Sequence, residues 1–239
     1  MLSQPAQAIV SFEQARHMVE QYAAQVAPGP AEAVDLLAAA GRVLAEEIRA
    51  DRDLPPFPRA TRDGFAVRSA DVATVPTNLQ VIGEIRAGAS VADSALAIGP
   101  RQAVEIMTGA PVPAGADAVV MVEYTRRSNG DTVEVQRSVT AGENVVPRAS
   151  ESRANELLLP GGTRLTPAAV GLAASVGNAT VSIYARPRVA ILSTGDEVID
   201  VAASPGPNQI RNSNTYSLAA QVHSAGGIPP ADCTWAASE

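Results

Sequence analysis

The rhythm of apolar residues changes twice along this chain, and those changes constrain the fold more than any single motif. Ser11 opens a capping box with Gln14, and Phe12, Ala15, Met18, Val19, Tyr22 and Val26 follow at three-and-four spacing. They predict an amphipathic helix of about four turns. Pro28-Gly29-Pro30 stops it, and an alanine-rich stretch centred on Leu36 to Glu47 predicts a second helix. The run Asp51-Arg52-Asp53-Leu54-Pro55-Pro56-Phe57-Pro58 then breaks regularity and marks a domain border. Beyond it come short apolar runs between Gly, Pro, Asn and Asp: Leu79 to Ile82, Ala103 to Ile106, Ala118 to Val122, and Thr132 to Val135 after the turn Asn129-Gly130. These predict the strands of a mostly β domain that ends near Gly142.

From Thr166 helix and strand alternate again. Thr166-Pro167 is an N-cap and first-turn pair, Gly177-Asn178 is a stop, and Thr180 to Tyr184 predicts a strand. Leu165 to Ala185 carries no charge over roughly the 20 residues that a membrane span needs, but the stop and strand inside it argue against one. Val189 to Leu192 is a continuous apolar run, as in a strand buried on both faces of a parallel sheet. Asn212-Ser213-Asn214 caps a helix over Thr215 to Ser224, closed by Gly226-Gly227. One strand and one helix make only part of a doubly wound domain. The expectation is therefore a multi-domain α/β and β chain. It divides into an N-terminal helix (1–27), two segments of an α+β linking domain (28–50 and 146–187), a β domain inserted between them (51–145), and an incomplete doubly wound α/β domain (188–239).

The chemistry open to this chain is narrow. All 18 positive side chains are arginine, so there is no lysine for a Walker A loop, a Schiff base or a nucleophile. Twenty-five acidic residues bring the net charge to -7, which repels a phosphate backbone and argues against nucleic-acid binding. His17 and His223 are far apart in sequence, without a partner at ligand spacing, and read as surface residues. The single Cys233 can form no internal disulfide and reads as a buried or incidental thiol. One cysteine and an N-terminus without a basic start or apolar core fit a cytoplasmic protein. Carboxylates, hydroxyls, arginines, backbone groups or an oxygen-ligated metal must carry any reaction.

Three segments offer such groups. Asp63-Gly64, after the prolines, reads either as a turn pair or as a carboxylate on a stiff loop beside a close backbone approach. Met107-Thr108-Gly109-Ala110-Pro111 reads either as an ordinary connection or as a hydroxyl and N–H presented to an anion. Ser193-Thr194-Gly195-Asp196-Glu197 follows an expected strand, at the edge where open α/β sheets bind ligands. Its hydroxyls, with the helix start at Asn212 and Ser213, suit phosphate, and its carboxylates suit magnesium. Glu143 and Glu151, flanking Arg148, read as a salt-bridged surface.

In this order the segments resemble the molybdopterin molybdenumtransferase family. The resemblance is carried by Gly41 to Glu46, Arg62 to Val67, Ile106 to Pro113 with Gly115 to Val120, Gly161 to Leu165, Leu192 to Glu197 and Gln209 to Asn214. It implies an elongated homodimer that takes adenylylated molybdopterin and molybdate, releases AMP and leaves molybdenum on the dithiolene. A molybdopterin adenylyltransferase is the implied upstream partner, with no nucleic acid or membrane involved. The resemblance places Asp63, Thr108 and Glu197 at active-site positions, with Thr108 a hydrogen-bond donor to substrate. Ser193, Thr194, Gly195, Asn212 and Ser213 would bind the cofactor precursor, and Asp63, Asp196 and Glu197 would surround magnesium. Residues 188–239 correspond to the first part of the molybdopterin-binding domain. The chain departs from the family pattern at Arg62, where methionine is common, and at Ala149-Ser150-Glu151, where Gly-Glu-Asp is common. Family chains also continue further. A dimerising scaffold module of the same fold is the alternative reading.

Overall fold

The structure, a computed structural model, describes residues 9–89, 96–128 and 130–229. In chain order the strands are β1 (Ala31–Asp35), β2 (Ile48–Arg49), β3 (Arg59–Ala60), β4 (Gly64–Val67), β5 (Thr77–Ile85), β6 (Gln102–Ile106) and β7 (Ala118–Met121). There follow β8 (Thr125–Arg127), β9 (Thr132–Val135), β10 (Val145–Val146), β11 (Leu157–Leu159), β12 (Thr180–Tyr184), β13 (Val198–Ile199) and β14 (Ile210–Arg211). The helices are α1 (Phe12–Ala23), α2 (Pro167–Ser175) and α3 (Ser213–Ala225). Contacts group the chain into a β unit, Ile48–Leu159, and a second unit assembled from the segments on either side of it.

The β unit is built on a six-stranded sheet in the order β7-β4-β6-β5-β9-β8, antiparallel except for the β5–β6 pair. Its side chains alternate between two cores. Phe65, Val67, Leu79, Val120, Val133 and Val135 share one cluster, while Ala66, Ile85, Val104, Ile106 and Val119 share the other. Strands β7 and β9 lie far apart in the sheet order yet feed the same cluster, so the sheet curls on itself. That curl lets a small sheet bury both faces. Asp117 fastens one edge: its carboxylate accepts the N–H and hydroxyl of Ser69, at 2.6 and 2.7 Å, where a short 3-10 turn begins.

The second unit corrects two expectations. Residues 36–47 are not a helix. Tyr184 N–H donates to Val43 and Ala45 N–H to Ser182, so residues 43–45 run along β12, on the side away from β1. On their far edge Leu44 exchanges hydrogen bonds with Gly162 and Thr163. Gly41, at φ +76°, makes the turn into this strip. A helix here would leave the backbone of β12 and of 162–165 unpaired, and alanine propensity is too weak to offset that. Arg42 donates to the Tyr184 carbonyl and Glu46 accepts the Ser182 N–H, so that motif is explained by holding β12.

Residues 189–192 are likewise not a doubly buried strand. Among the described residues the one ladder contact there is parallel, with Val189 N–H donating to the Ile228 carbonyl, and Leu192 is 86% exposed. Two-sided burial needs neighbouring strands and covering helices, and the described residues provide neither for this segment. The capped elements stand where expected. The capping box of α1 is complete, Thr166 caps α2 ahead of Pro167, and Asn212 caps α3, which ends at Gly226 in the left-handed region. No residue of α1 is buried: Phe12, Met18, Val19 and Tyr22 are all exposed. Cys233 lies outside the described residues.

Candidate functional site

The expected site residues fall into two constellations, one in each unit. In the β unit, β4 and β6 pair antiparallel with Gly64 opposite Ile106, so Asp63 and the residues just past β6 meet at one end of the ladder. Thr108, 45 positions away in sequence, donates both its N–H and its hydroxyl to Asp63 Oδ1, at 2.6 and 2.7 Å. The main chain beneath is also tied: Val122 N–H donates to the Asp63 carbonyl and Gly109 N–H to the Ala60 carbonyl. Gly64 is required by space, because a Cβ there would sit 2.9 Å from the Val120 carbonyl carbon and 3.0 Å from that of Met121. The Thr108 N–H, and after it the Thr108 hydroxyl, hold the Asp63 carboxyl below its ordinary value, against the opposing effect of desolvation.

Thr108 therefore spends its hydroxyl proton on Asp63. Spacing alone could not reveal this pairing. Arg62 is exposed and donates to the neighbouring Thr61 carbonyl, at 3.4 Å. Around the proline loop Glu143 and Glu151 are salt-bridged at the surface, as expected. Arg148 pairs with Asp53 at 2.7 Å, Arg59 with Glu151 at 2.9 Å and Arg137 with Glu143 at 3.4 Å. Glu143 and Glu151 thus each pair with an arginine other than Arg148. The Asp53 carboxyl is held low first by the Ala154 N–H and then by Arg148.

In the second unit, Ser193, Thr194, Glu197, Val198 and the stretch Ile210 to Asn214 line an open pocket of about 130 Å³. Two short parallel strands, β13 and β14, bring its halves together, with Ile210 N–H donating to the Glu197 carbonyl and Asn212 N–H to Ile199. Gly195, at φ +146°, lets the turn close: a Cβ would lie 2.8 Å from the Glu197 carboxylate. Asn212 is nearly buried and accepts the Thr215 N–H at 3.2 Å, leaving the N–H groups of Ser213 and Asn214 at the pocket end of α3. The expected Ser193, Thr194, Glu197, Asn212 and Ser213 all line this pocket, and Gly195 shapes it. Arg211 and Asn214 are lining residues the sequence reading did not single out. Arg211 is the one cationic side chain among the described lining residues, with its Nε bonded to the Ala203 carbonyl.

Hydroxyls, two carboxamides, a guanidinium and a helix start are chemistry for a phosphate or another oxyanion. For a metal, no three His, Cys, Asp or Glu side chains converge among the described residues. The donors in this pocket are nevertheless all oxygen, which fits magnesium arriving with a phosphate, since that ion needs only one or two protein carboxylates.

The chain is thus an α/β and β protein in which a curled β unit interrupts a second unit with an oxyanion-suited pocket. Residues 10–177 match the family model of the MoeA N-terminal region (domain I and II), and the chain belongs to that family. It is 41% identical over 208 residues to the molybdopterin molybdenumtransferase of Bacillus subtilis, an alignment covering 84% of this chain and 48% of that protein. A relative of the same name in Nostoc is 41% identical over 202 residues, 83% of this chain and 45% of that one. Among solved structures, a molybdopterin biosynthesis MoeA protein from Pyrococcus horikosii superposes with a TM-score of 0.75 at 31% identity, over 97% of this chain and 58% of that chain. The chain spans about half the length of the curated relatives it matches.

Proposed function

We propose that this chain acts in molybdenum cofactor biosynthesis as the N-terminal portion of a molybdopterin molybdenumtransferase. The reaction takes adenylylated molybdopterin and molybdate, transfers molybdenum to the dithiolene and releases AMP. The observation that carries this reading is the pocket at the start of α3, where Ser193, Thr194, Asn212 and Ser213 stand beside Glu197 in a chain of this family. Hydroxyls and helix-start N–H groups would hold the phosphate, and Arg211 would offset its charge. Asp196 and Glu197 would hold magnesium, which when bound stabilises charge on the leaving phosphate. A homodimer, a molybdopterin adenylyltransferase upstream and a cytoplasmic location belong to the same proposal. So does the five-part division at residues 27, 50, 145 and 187. No helix among the described residues is long and apolar enough to cross a membrane.

The test has two parts. AMP is titrated into the chain while backbone amides are followed by NMR, and AMP release is measured with adenylylated molybdopterin, molybdate and magnesium. The reading expects AMP to perturb the Ser193–Thr194 and Asn212–Asn214 amides, and any release to vanish in Glu197→Ala. AMP that leaves those amides unmoved, or release equal in the variant, overturns it.

A further inference from the structure

Resting on that reading, we propose that Arg211 is the residue that selects a phosphate in the α3 pocket, because its guanidinium serves two partners at once: the loop 200–209 through Nε and the phosphate through its Nη groups. β13 ends at Ile199 and β14 begins at Ile210, so residues 200–209 connect two strands that pair side by side. Every residue of that connection is exposed, and it is braced by its own turns. Asp200 accepts the N–H groups of Ala202 and Ala203, through its carboxylate and its carbonyl, and Gly206 and Gln209 bond each other. Arg211 adds a tie from the pocket, its Nε donating to the Ala203 carbonyl at 3.1 Å. A guanidinium carries its N–H donors in one rigid plane. With Nε engaged on the loop, the Nη protons are what Arg211 has left for the pocket it lines.

Charge and geometry choose what those protons can meet. Among the described residues Arg211 forms no salt bridge, although Glu197 lines the same pocket. Its charge is thus not cancelled by a protein carboxylate, and an anion is the partner it favours. Asn212 adds a second donor. It is 4% exposed, its Oδ1 accepts the Thr215 N–H, and its amide protons have no acceptor among the described residues, so a nearly buried donor lines the pocket beside Arg211. A paired Nη fork and an amide suit a tetrahedral anion with several acceptor oxygens, which can take the fork as a bidentate pair. An ammonium could not serve both partners in fixed register, because a lysine presents a single nitrogen. Filling the Nη side fixes the guanidinium plane and so steadies the Nε bond to Ala203. Phosphate binding and order in the loop 200–209 are therefore coupled, and by linkage each favours the other.

The test uses the full chain, with inorganic phosphate, AMP and adenosine titrated separately while the backbone amides and the Arg211 Nε–H signal are followed by NMR. Phosphate and AMP are each expected to shift the Ser213 and Asn214 amides, the Arg211 side-chain signal and the Ala202 and Ala203 amides with one Kd, and adenosine to leave all of them in place. Arg211→Lys keeps the charge but not the fork. It should weaken phosphate and AMP binding about tenfold or more, the loss of a hydrogen bond to a charged group. Residual binding in that variant should leave the Ala202 and Ala203 amides unmoved. Binding as tight in Arg211→Lys as in the wild type, the outcome if Arg211 merely holds the loop, overturns the proposal. So do loop amides that stay in place while Ser213 and Asn214 shift, and phosphate that shifts nothing. Should the variant fail to fold, the wild-type titrations decide. Failure of the transferase reading shows separately: phosphate then moves pocket and loop while AMP leaves the Ser193–Thr194 and Asn212–Asn214 amides unmoved.

Discussion

Replacing Gly64 by alanine tests whether the Asp63 site depends on the close approach of β4 and β7. The new methyl would overlap the Val120 carbonyl oxygen outright and stand 2.9 and 3.0 Å from two backbone carbons of residues 120 and 121, where ordinary contact begins near 3.4 Å. Backbone cannot swing aside as a side-chain tip can, so β7 must move by roughly an ångström or more. Such overpacking costs about 1–3 kcal/mol. The hydrogen bond from Val122 N–H to the Asp63 carbonyl, 3.0 Å long, runs across the same gap, and its loss adds about 1 kcal/mol. The sum, about 2–4 kcal/mol, corresponds to a melting shift of roughly 8–16 °C for a unit of this size, at about 4 °C per kcal/mol. Thermal unfolding followed at β-unit amides measures it, together with the native-state shift of the Thr108 amide. Gly88→Ala is the control: Gly88 has φ +76° but nothing within 4 Å of its Cβ position. It should cost only the left-handed backbone penalty of about 1–2 kcal/mol and leave Thr108 unmoved. A Gly64→Ala chain within about 0.5 kcal/mol of wild type, with Thr108 unshifted, would refute the packing argument.

Two further outcomes are expected. The Asp63 carboxyl should titrate below the ordinary 3.8, because the Thr108 N–H and hydroxyl favour its charged form, and Thr108→Val should move the midpoint back up. With the folded value depressed, the linked stability is fully present above the unfolded value and is lost as pH falls through the folded one. An Asp63 midpoint at or above 3.8 by carboxyl-carbon NMR contradicts this. Asn212→Ala should cost about 1 kcal/mol and raise hydrogen exchange in the first turn of α3, where Thr215 N–H loses its acceptor. Unchanged exchange there would mean the cap contributes nothing.

Much of the local structure was legible because its causes are local. Ser11 with Gln14, Thr166 with Pro167, and Asn212 with Gly226 each mark a helix by chemistry within a few residues. The strands β5, β6, β7 and β9 were marked by short apolar runs between turn residues, since a strand must alternate what it buries. The misread segments depend on distant partners. Residues 36–47 have helical composition, but the unpaired edge of β12, about 140 positions along the chain, captures 43–45 as a strand. Val189 to Leu192 has the composition of a buried strand, but among the described residues it is paired only at its start, through Val189 and Ile228, and Leu192 is exposed.

The same division holds at the site. Sequence by itself determined which groups could carry chemistry: arginine without lysine, three segments of carboxylates and hydroxyls, and the capped start of α3. Those are properties of residue identity and short spacing. Only the tertiary structure decided that Thr108 serves Asp63, that Glu151 is matched by Arg59, and that Arg211 joins the α3 pocket. Each of these follows from strand register or loop closure. A contact between residues 45 or 92 positions apart is set by how the sheet and its loops close, which no local pattern encodes.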